Sequence, residues 1–385
     1  MVTAHYDAVI AGGSISGLLA CRQISASGAN VAIIEEDHEI GTPEHCGGLV
    51  STGAIRDLGL IPDSCAVENR VKRARISSVS NEFEINAEKQ QIIVLDRRAF
   101  DKQIAFQAQR TGAEINVRCS MRGISKDGNR YIVKTSNGDI SCDYFIDARG
   151  IASIISRNRS GVLQSAQYEV YAPWIDHDTV EVVFDSEKFP GFFAWIIPTG
   201  KGTGKVGVAG RSINASKVLE SYMDGKGAKY SVIRKVYAPI WVLGPIESFV
   251  TERSLVVGDA AGQTKPTTAG GIYTCGLGGI LAGKAVVGAM HDGNEKKLVE
   301  YQRNWFSLFK SEFEKMLLAR RLLERLDNKA IDSIFSAVSS DKLEEISATV
   351  DFDFHSAALS KILSTKNASK IAMAMIGNEI RRLID

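Results

Sequence analysis

The chain has few cysteines for its length, and none sits in a pattern that metal or redox chemistry would use. Six thiols, at positions 21, 46, 65, 119, 142 and 275, are scattered through 385 residues without a CxxC pair. This spacing excludes zinc-finger and iron–sulfur ligand sets, so no metal centre is expected. Unpaired thiols in a chain of this size point to a reducing compartment, and a cytoplasmic location is expected. An excess of charge of one sign is also missing. The 46 Lys and Arg against 45 Asp and Glu leave a formal net charge of +1. That balance offers nothing to attract nucleic acid, and no strong pull toward anionic lipid. There is no internal repeat and no low-complexity linker. The early apolar run from Ala8 to Ala20 lacks a basic start and is interrupted by glycines, unlike a signal peptide. Only Ile272 to Met290 is apolar over roughly the length that crosses a bilayer. It carries Lys284 near its middle and five glycines, so a buried helix is expected there instead.

What remains is a globular composition, 44% hydrophobic and 24% charged, with length for two or three domains sharing a core. The opening reads strand, tight turn, helix, strand: DAVIA, GGSISG, LLACRQISASG, VAIIEE. The glycine loop Gly12-Gly13-Ser14-Ile15-Ser16-Gly17 and the acid Glu35 at the end of the second strand form a dinucleotide-binding pattern. Gly12 permits the turn, Gly17 lets helix and strand approach, and the helix N-terminus faces a pyrophosphate. Glu35 can accept hydrogen bonds from ribose hydroxyls. Ser14 stands where the pattern has its middle glycine. A second GxGxxG, Gly202 to Gly207, lies between WIIP and VGVAG with no helix after it. It is a hairpin turn, so no separate nicotinamide-binding domain is expected. A helix running into a strand is expected over LDRRAFDKQIAFQAQRTGAEINV, hairpins from Gly123 to Ile146, and short strands over 166–210. After Leu298 a helix is expected with Tyr301, Trp305, Leu308, Phe309, Phe313 and Met316 on its buried face, and Lys310, Glu314, Arg320 and Glu324 on the outer one.

Downstream elements resemble the FAD-binding signatures of the glutathione-reductase and hydroxylase-like flavoproteins. These are Asp96-Arg97-Arg98-Ala99-Phe100-Asp101, Asp147-Ala148-Arg149-Gly150 after the strand YFI, and the apolar strand that ends in Gly258-Asp259-Ala260-Ala261-Gly262. The resemblance implies FAD rather than NAD. Asp259 would lie at the ribityl or pyrophosphate region, and the backbone of Gly270, Gly271 and Ile272 at the flavin N1–C2=O edge. The implied cofactor contacts are Gly12, Gly13, Ser14, Ser16, Gly17, Glu35, Glu36, Cys46, Gly47, Arg97, Asp147, Gly258, Asp259, Gly270, Gly271 and Ile272.

The stretches Glu44-His45-Cys46-Gly47-Gly48-Leu49, Phe189 to Pro198 and GDAAGQTKPTTAGGIYT together resemble the geranylgeranyl reductase family over about residues 5–290. That family saturates isoprenoid chains of ether lipids, chlorophyll or quinones. This chain carries Ile197 and Phe193 where the family more often has aromatic and Tyr residues. The implied fold class is α/β + α. A discontinuous FAD-binding Rossmann-type domain spans 1–160 plus 250–290, with 61–95 partly in an antiparallel-sheet substrate domain at 161–249. A helical C-terminal region covers 291–385. The implied reaction uses hydride from flavin N5 and a proton, with Cys46 as proton donor or substrate positioner. Phe193, Trp195, Pro198 and Tyr171 are the implied substrate contacts, with Phe192 and Trp174 as further aromatics on strands of the middle domain. The substrate would be a prenyl lipid, the electron donor NADPH or ferredoxin, and peripheral contact with a membrane is allowed for. Two alternatives stay open: a flavin monooxygenase or halogenase, for which Lys72 and Lys89 are candidate tunnel lysines, and an electron-transfer flavoprotein reducing quinone.

Overall fold

The computed structural model describes residues 2–155, 158–337 and 352–354. The strand Val2–Ala11 runs parallel to both Val31–Ile34 and Gly138–Asp147. Glu114–Asn116 and Ser254–Val256 extend this parallel core on either side. The strand VAII is buried at every position, as expected where helices cover both faces of a parallel sheet. Met121–Asp127 pairs antiparallel with Arg130–Thr135, which pairs antiparallel with Gly138–Asp147, giving the expected hairpins.

Helix Ile15–Ser25 packs against helix Ile272–Asp292. Glycine makes that approach possible. A Cβ on Gly279 would lie 2.1 Å from the Ser16 carbonyl oxygen, and one on Gly283 would lie 2.7 Å from that of Ala20. The helix is long and apolar enough to span a bilayer by composition. Most of it is nevertheless covered inside the fold, as its glycines and Lys284 led one to expect. Helix Leu298–Leu323 closes its other side, with Trp305 fully buried and its indole N–H donating to the Thr274 carbonyl at 3.1 Å.

The second large sheet is mostly antiparallel, in the order Ser231–Tyr237, Val162–Tyr171, Thr203–Gly210, Ala194–Gly200, Thr179–Val183, Arg73–Ser77, Glu82–Asn86. Its last two strands come from the 61–95 stretch, before the strands that make up the rest of the sheet. The Gly202–Gly207 segment is the hairpin between Ala194–Gly200 and Thr203–Gly210. A three-stranded sheet of Leu49–Ser51, Ile92–Leu95 and Val67–Val71 bridges the two halves.

Two positions on the long C-terminal helix depart from the expected faces. Leu308 is 54% exposed, and Arg320 is buried. The helix changes partner along its length. Its first half lies on the glycine-rich helix. Near its end Arg320 reaches over the Phe192 ring, 5.2 Å from the centroid, and pairs with Glu324 at 3.0 Å. Much of the region after Ala337 lies outside the described residues.

Candidate functional site

The glycine loop ends the first strand and opens the first helix. Gly12 has φ +110°, and a Cβ there would strike the Ala148 carbonyl oxygen at 2.2 Å; one on Gly17 would meet the Gly12 carbonyl at 2.1 Å. The loop is thus pressed against the segment that follows Asp147. Ser14 is the helix N-cap, but its side chain makes no cap bond and is exposed, leaving the helix N-terminus open toward an anion. Glu35 accepts from Gly13 N–H at 2.6 Å and Asp37 N–H at 3.0 Å. Its neighbour Glu36 is exposed. Ser16 is buried beneath Gly258, where a Cβ would meet Ser16 Oγ at 2.4 Å. The two fingerprints, far apart in sequence, are therefore in contact.

Asp259 is exposed on the same side. Thr264 Oγ1 donates to it, and Cys275 Sγ lies 3.4 Å away. Gly271, the N-cap of the glycine-rich helix, sits beside this group, and Ile272 opens the helix. Asp147 lies in the core of the sheet. It accepts from Arg149 at 2.8 Å and Ser153 at 2.7 Å, and these partners hold its carboxylate below the ordinary range against the effect of burial. Its role is thus to clamp the turn against which Gly12 packs. The glycine cradles, the open helix N-terminus and the exposed Asp259 all fit an FAD.

The Cys-Gly-Gly loop lies where the sheets meet. A Cβ on Gly47 would lie 2.5 Å from Ile197 Cδ1, and one on Gly48, at φ +82°, would lie 2.3 Å from the Leu95 carbonyl. Only glycine fits this loop between the bridging sheet and the middle sheet. Arg97 is buried and holds Asp101 at 2.8 Å. Burial opposes its charge, but Asp101 and then the Cys46 thiol, to which Arg97 hydrogen-bonds, more than offset it and hold the guanidinium cationic. His45 is partly desolvated, which lowers its basicity; nearby Asp259 opposes that shift. The Cys46 loop therefore faces the second fingerprint.

Trp195 lies flat over Gly207, where a Cβ would sit 2.2 Å from the indole. Its N–H donates to Gln167 Oε1 at 3.0 Å, and Gln167 Nε2 lies 3.5 Å from the Cys46 carbonyl. Phe193 stacks on Phe192 at 4.1 Å and meets Trp195 edge-on at 6.1 Å. Phe192 and Phe193 precede the strand Ala194–Gly200 rather than lying on it, because Gly191 at φ +70° turns the chain just before them. Tyr171 is set apart from this group. It ends its strand opposite Thr203, at the hairpin end and 53% exposed, four residues beyond Gln167. Trp174 also lies off the strands. Pro198 is buried in the sheet, and its carbonyl accepts from Asn69 at 2.9 Å, so it shapes the strand. Lys72 is exposed and paired with Asp178 at 3.3 Å, and Lys89 is exposed, so neither is placed as a tunnel lysine.

A charged cluster behind the loop was not foreseen. Lys205 donates to Glu44 at 2.7 Å, to Glu68 at 2.9 Å and to the Leu95 carbonyl at 3.3 Å. Glu44 Oε1 also accepts from the Arg97 backbone N–H at 3.0 Å. The signal was available: a lysine inside the otherwise apolar strand TGKVGVAG.

No protein-family model matches the chain. Digeranylgeranylglycerophospholipid reductase 1 of Methanopyrus kandleri is 30% identical over 369 residues, covering 90% of this chain and 97% of that protein. The digeranylgeranylglycerophospholipid reductase of Methanocaldococcus jannaschii is 31% identical over 367 residues, 86% of this chain and 90% of that one. Among solved structures, a geranylgeranyl bacteriochlorophyll reductase-like protein from Thermoplasma acidophilum superposes with a TM-score of 0.85 at 22% identity, over 96% of this chain and 99% of that one. A flavin-dependent brominase matches at 0.64 and 20% identity, over 83% of this chain and 94% of its own. At these identities the structural matches establish a shared flavoprotein fold, while the sequence matches along nearly the whole chain go further: the chain belongs to the digeranylgeranylglycerophospholipid reductase family.

Proposed function

We propose that the protein is an FAD-dependent reductase that saturates C=C bonds in geranylgeranyl chains of a glycerophospholipid. The observation that carries this reading is the Cys46 loop, held by Gly47 and Gly48 between the flavin-fold core and the strand that presents Trp195. Bound reduced FAD supplies hydride. The chain's own residues do the rest. The Gly12–Gly17 loop and the helix beginning at Ile272 hold the cofactor through backbone N–H groups. Trp195, partly exposed and backed by the buried Phe192–Phe193 stack, presents apolar surface to a prenyl chain and keeps water from it. Gln167 fixes the indole of Trp195 and touches the Cys46 backbone. The Cys46 thiol, set by Arg97, delivers the proton that completes saturation. Electrons arrive from NADPH or a ferredoxin, and the lipid is reached by peripheral contact with a membrane.

The test is anaerobic incubation of dithionite-reduced protein with digeranylgeranylglycerophospholipid, followed by mass spectrometry. A mass gain of two hydrogens per reduced bond is expected. Flavin that stays reduced beside unchanged lipid would overturn the reading, as would an oxygenated product in air.

A further inference from the structure

Two buried charges belong to none of the roles above. Lys265 and Asp353 are each 4% exposed and lie 3.4 Å apart. Lys265 begins the loop that leads to Gly270. Its N–H donates to the Gly270 carbonyl at 3.0 Å, and its carbonyl accepts from Ala269 N–H at 2.9 Å. The loop closes on itself and carries the ammonium back to Gly270, where a Cβ would be 3.7 Å from Nζ. Its partner comes from far along the chain. Phe352 lies under the ammonium, 5.5 Å to the ring centroid, and packs in the cluster of Ile197 and Trp195. Phe354 packs on Tyr273 and Phe309. A buried ion pair adds little to stability over apolar side chains of the same volume, so folding alone does not account for a charge here. The pair adjoins the loop and helix N-terminus expected to meet the flavin's N1–C2=O edge, which carries negative charge when the ring is reduced.

We propose that Lys265 and Asp353 set the redox potential of the bound flavin. Lys265 supplies positive charge to the reduced ring, and Asp353 holds that charge in check. In a low-dielectric interior a full charge acts over several ångströms, whereas a close ion pair acts weakly beyond its own length. Breaking the pair from either side therefore shifts the potential in opposite directions. The inference rests on FAD occupying the site described above.

The test is an anaerobic spectroelectrochemical titration of the full-length, FAD-loaded protein at pH 8. D353N leaves the ammonium uncompensated and is expected to favour reduced over oxidised flavin by about tenfold, about 30 mV upward for a two-electron couple. K265M is expected to move the potential downward. The double variant K265M/D353N returns it toward the starting value, as a double-mutant cycle requires of a coupled pair. Potentials that stay put, or that move the same way in both single variants, overturn the proposal. Should one single variant lose its fold or flavin, the other and the double variant decide. Retention of FAD by D259A separates the two readings: wild-type retention there refutes the flavin site itself, whereas normal flavin binding with unmoved potentials refutes only the role of the pair.

Discussion

Removing the Lys205 ammonium should be among the most damaging single changes in the chain that leaves the glycine loops intact. All three of its N–H donors are used, on Glu44, Glu68 and the Leu95 carbonyl. Lys205 and Glu44 are each 2% exposed at the side chain and Glu68 15%, so solvent cannot take the lysine's place. Lys205→Met leaves two buried acids facing one another. Breaking a buried pair from one side costs about 3–5 kcal/mol. Arg98 at 3.5 Å and Arg234 at 3.8 Å stay near Glu44, which sets the expectation at the lower end, about 3 kcal/mol. Burial already raises the Glu68 pKa, and Lys205 pulls the other way. A carboxyl raised in the fold contributes stability that is fully present below its unfolded pKa and lost as pH rises through the folded value. In the variant that rise is unopposed, so its deficit should be greatest near neutral pH and shrink toward pH 4.5. Urea unfolding midpoints of wild type, K205M and K205M/E44Q/E68Q, read by tryptophan fluorescence between pH 4.5 and 7.5, measure this. A loss below about 1 kcal/mol, or no recovery when the acids are neutralised, refutes the account of the cluster.

Cys46→Ala should keep FAD and fold yet slow reoxidation of reduced flavin by substrate under anaerobic conditions by about 10²–10⁴-fold; a wild-type rate would make Cys46 a packing residue. Ala269 holds φ +57° in the loop before Gly270, a conformation that costs a β-carbon about 1–2 kcal/mol. Ala269→Gly should therefore stabilise the protein by a few tenths to about 1 kcal/mol once glycine's greater chain entropy is subtracted, and a lower melting temperature would show that the methyl's packing matters more. Desolvation lowers the His45 pKa, with Asp259 opposing. Its contribution to stability is therefore present above its ordinary pKa and lost as pH falls through the lowered one. NMR titration should place its midpoint below 6.5, the ordinary histidine value, and His45→Gln should flatten the stability profile on that acid side.

The parts of the fold that could be read from sequence were those whose chemistry is local. Gly12 and Gly17 announce a turn and a close packing within one βαβ unit, and the structure places them so; Glu35, read as an acceptor for ribose hydroxyls, accepts here from the Gly13 and Asp37 N–H groups. The hairpin at Gly202 was legible because no helix follows it. The glycine-rich segment after Ile272 was legible because Lys284 and the glycines argue against lipid. Pairings made only by tertiary folding were hidden. Nothing near Lys205 in sequence names Glu44 or Glu68, and nothing near Lys265 names Asp353. The face of the long helix was misjudged at Leu308 and Arg320, because periodicity assumes one partner along the whole length and this helix has two. The place of Tyr171, four residues along its strand from Gln167, was hidden for a similar reason. Alternation gives the face of a strand, not how far along it a neighbour sits.

The contact of Gly258 on Ser16 also bears on how the protein is made. The two halves of the cofactor site lie near opposite ends of the described core, and most of the middle sheet is synthesised between them. At translation rates of about 5–20 residues per second, the first half waits on the order of tens of seconds for the second. During that wait the strand Gly138–Asp147 lacks Ser254–Val256 on one edge, and Ser16 lacks the helix that covers it. Flavin capture is therefore a late event in the life of the nascent chain. Until the later half is made, the chain carries an unfinished sheet edge and an uncovered glycine-packing face, the kind of surface on which newly made chains aggregate.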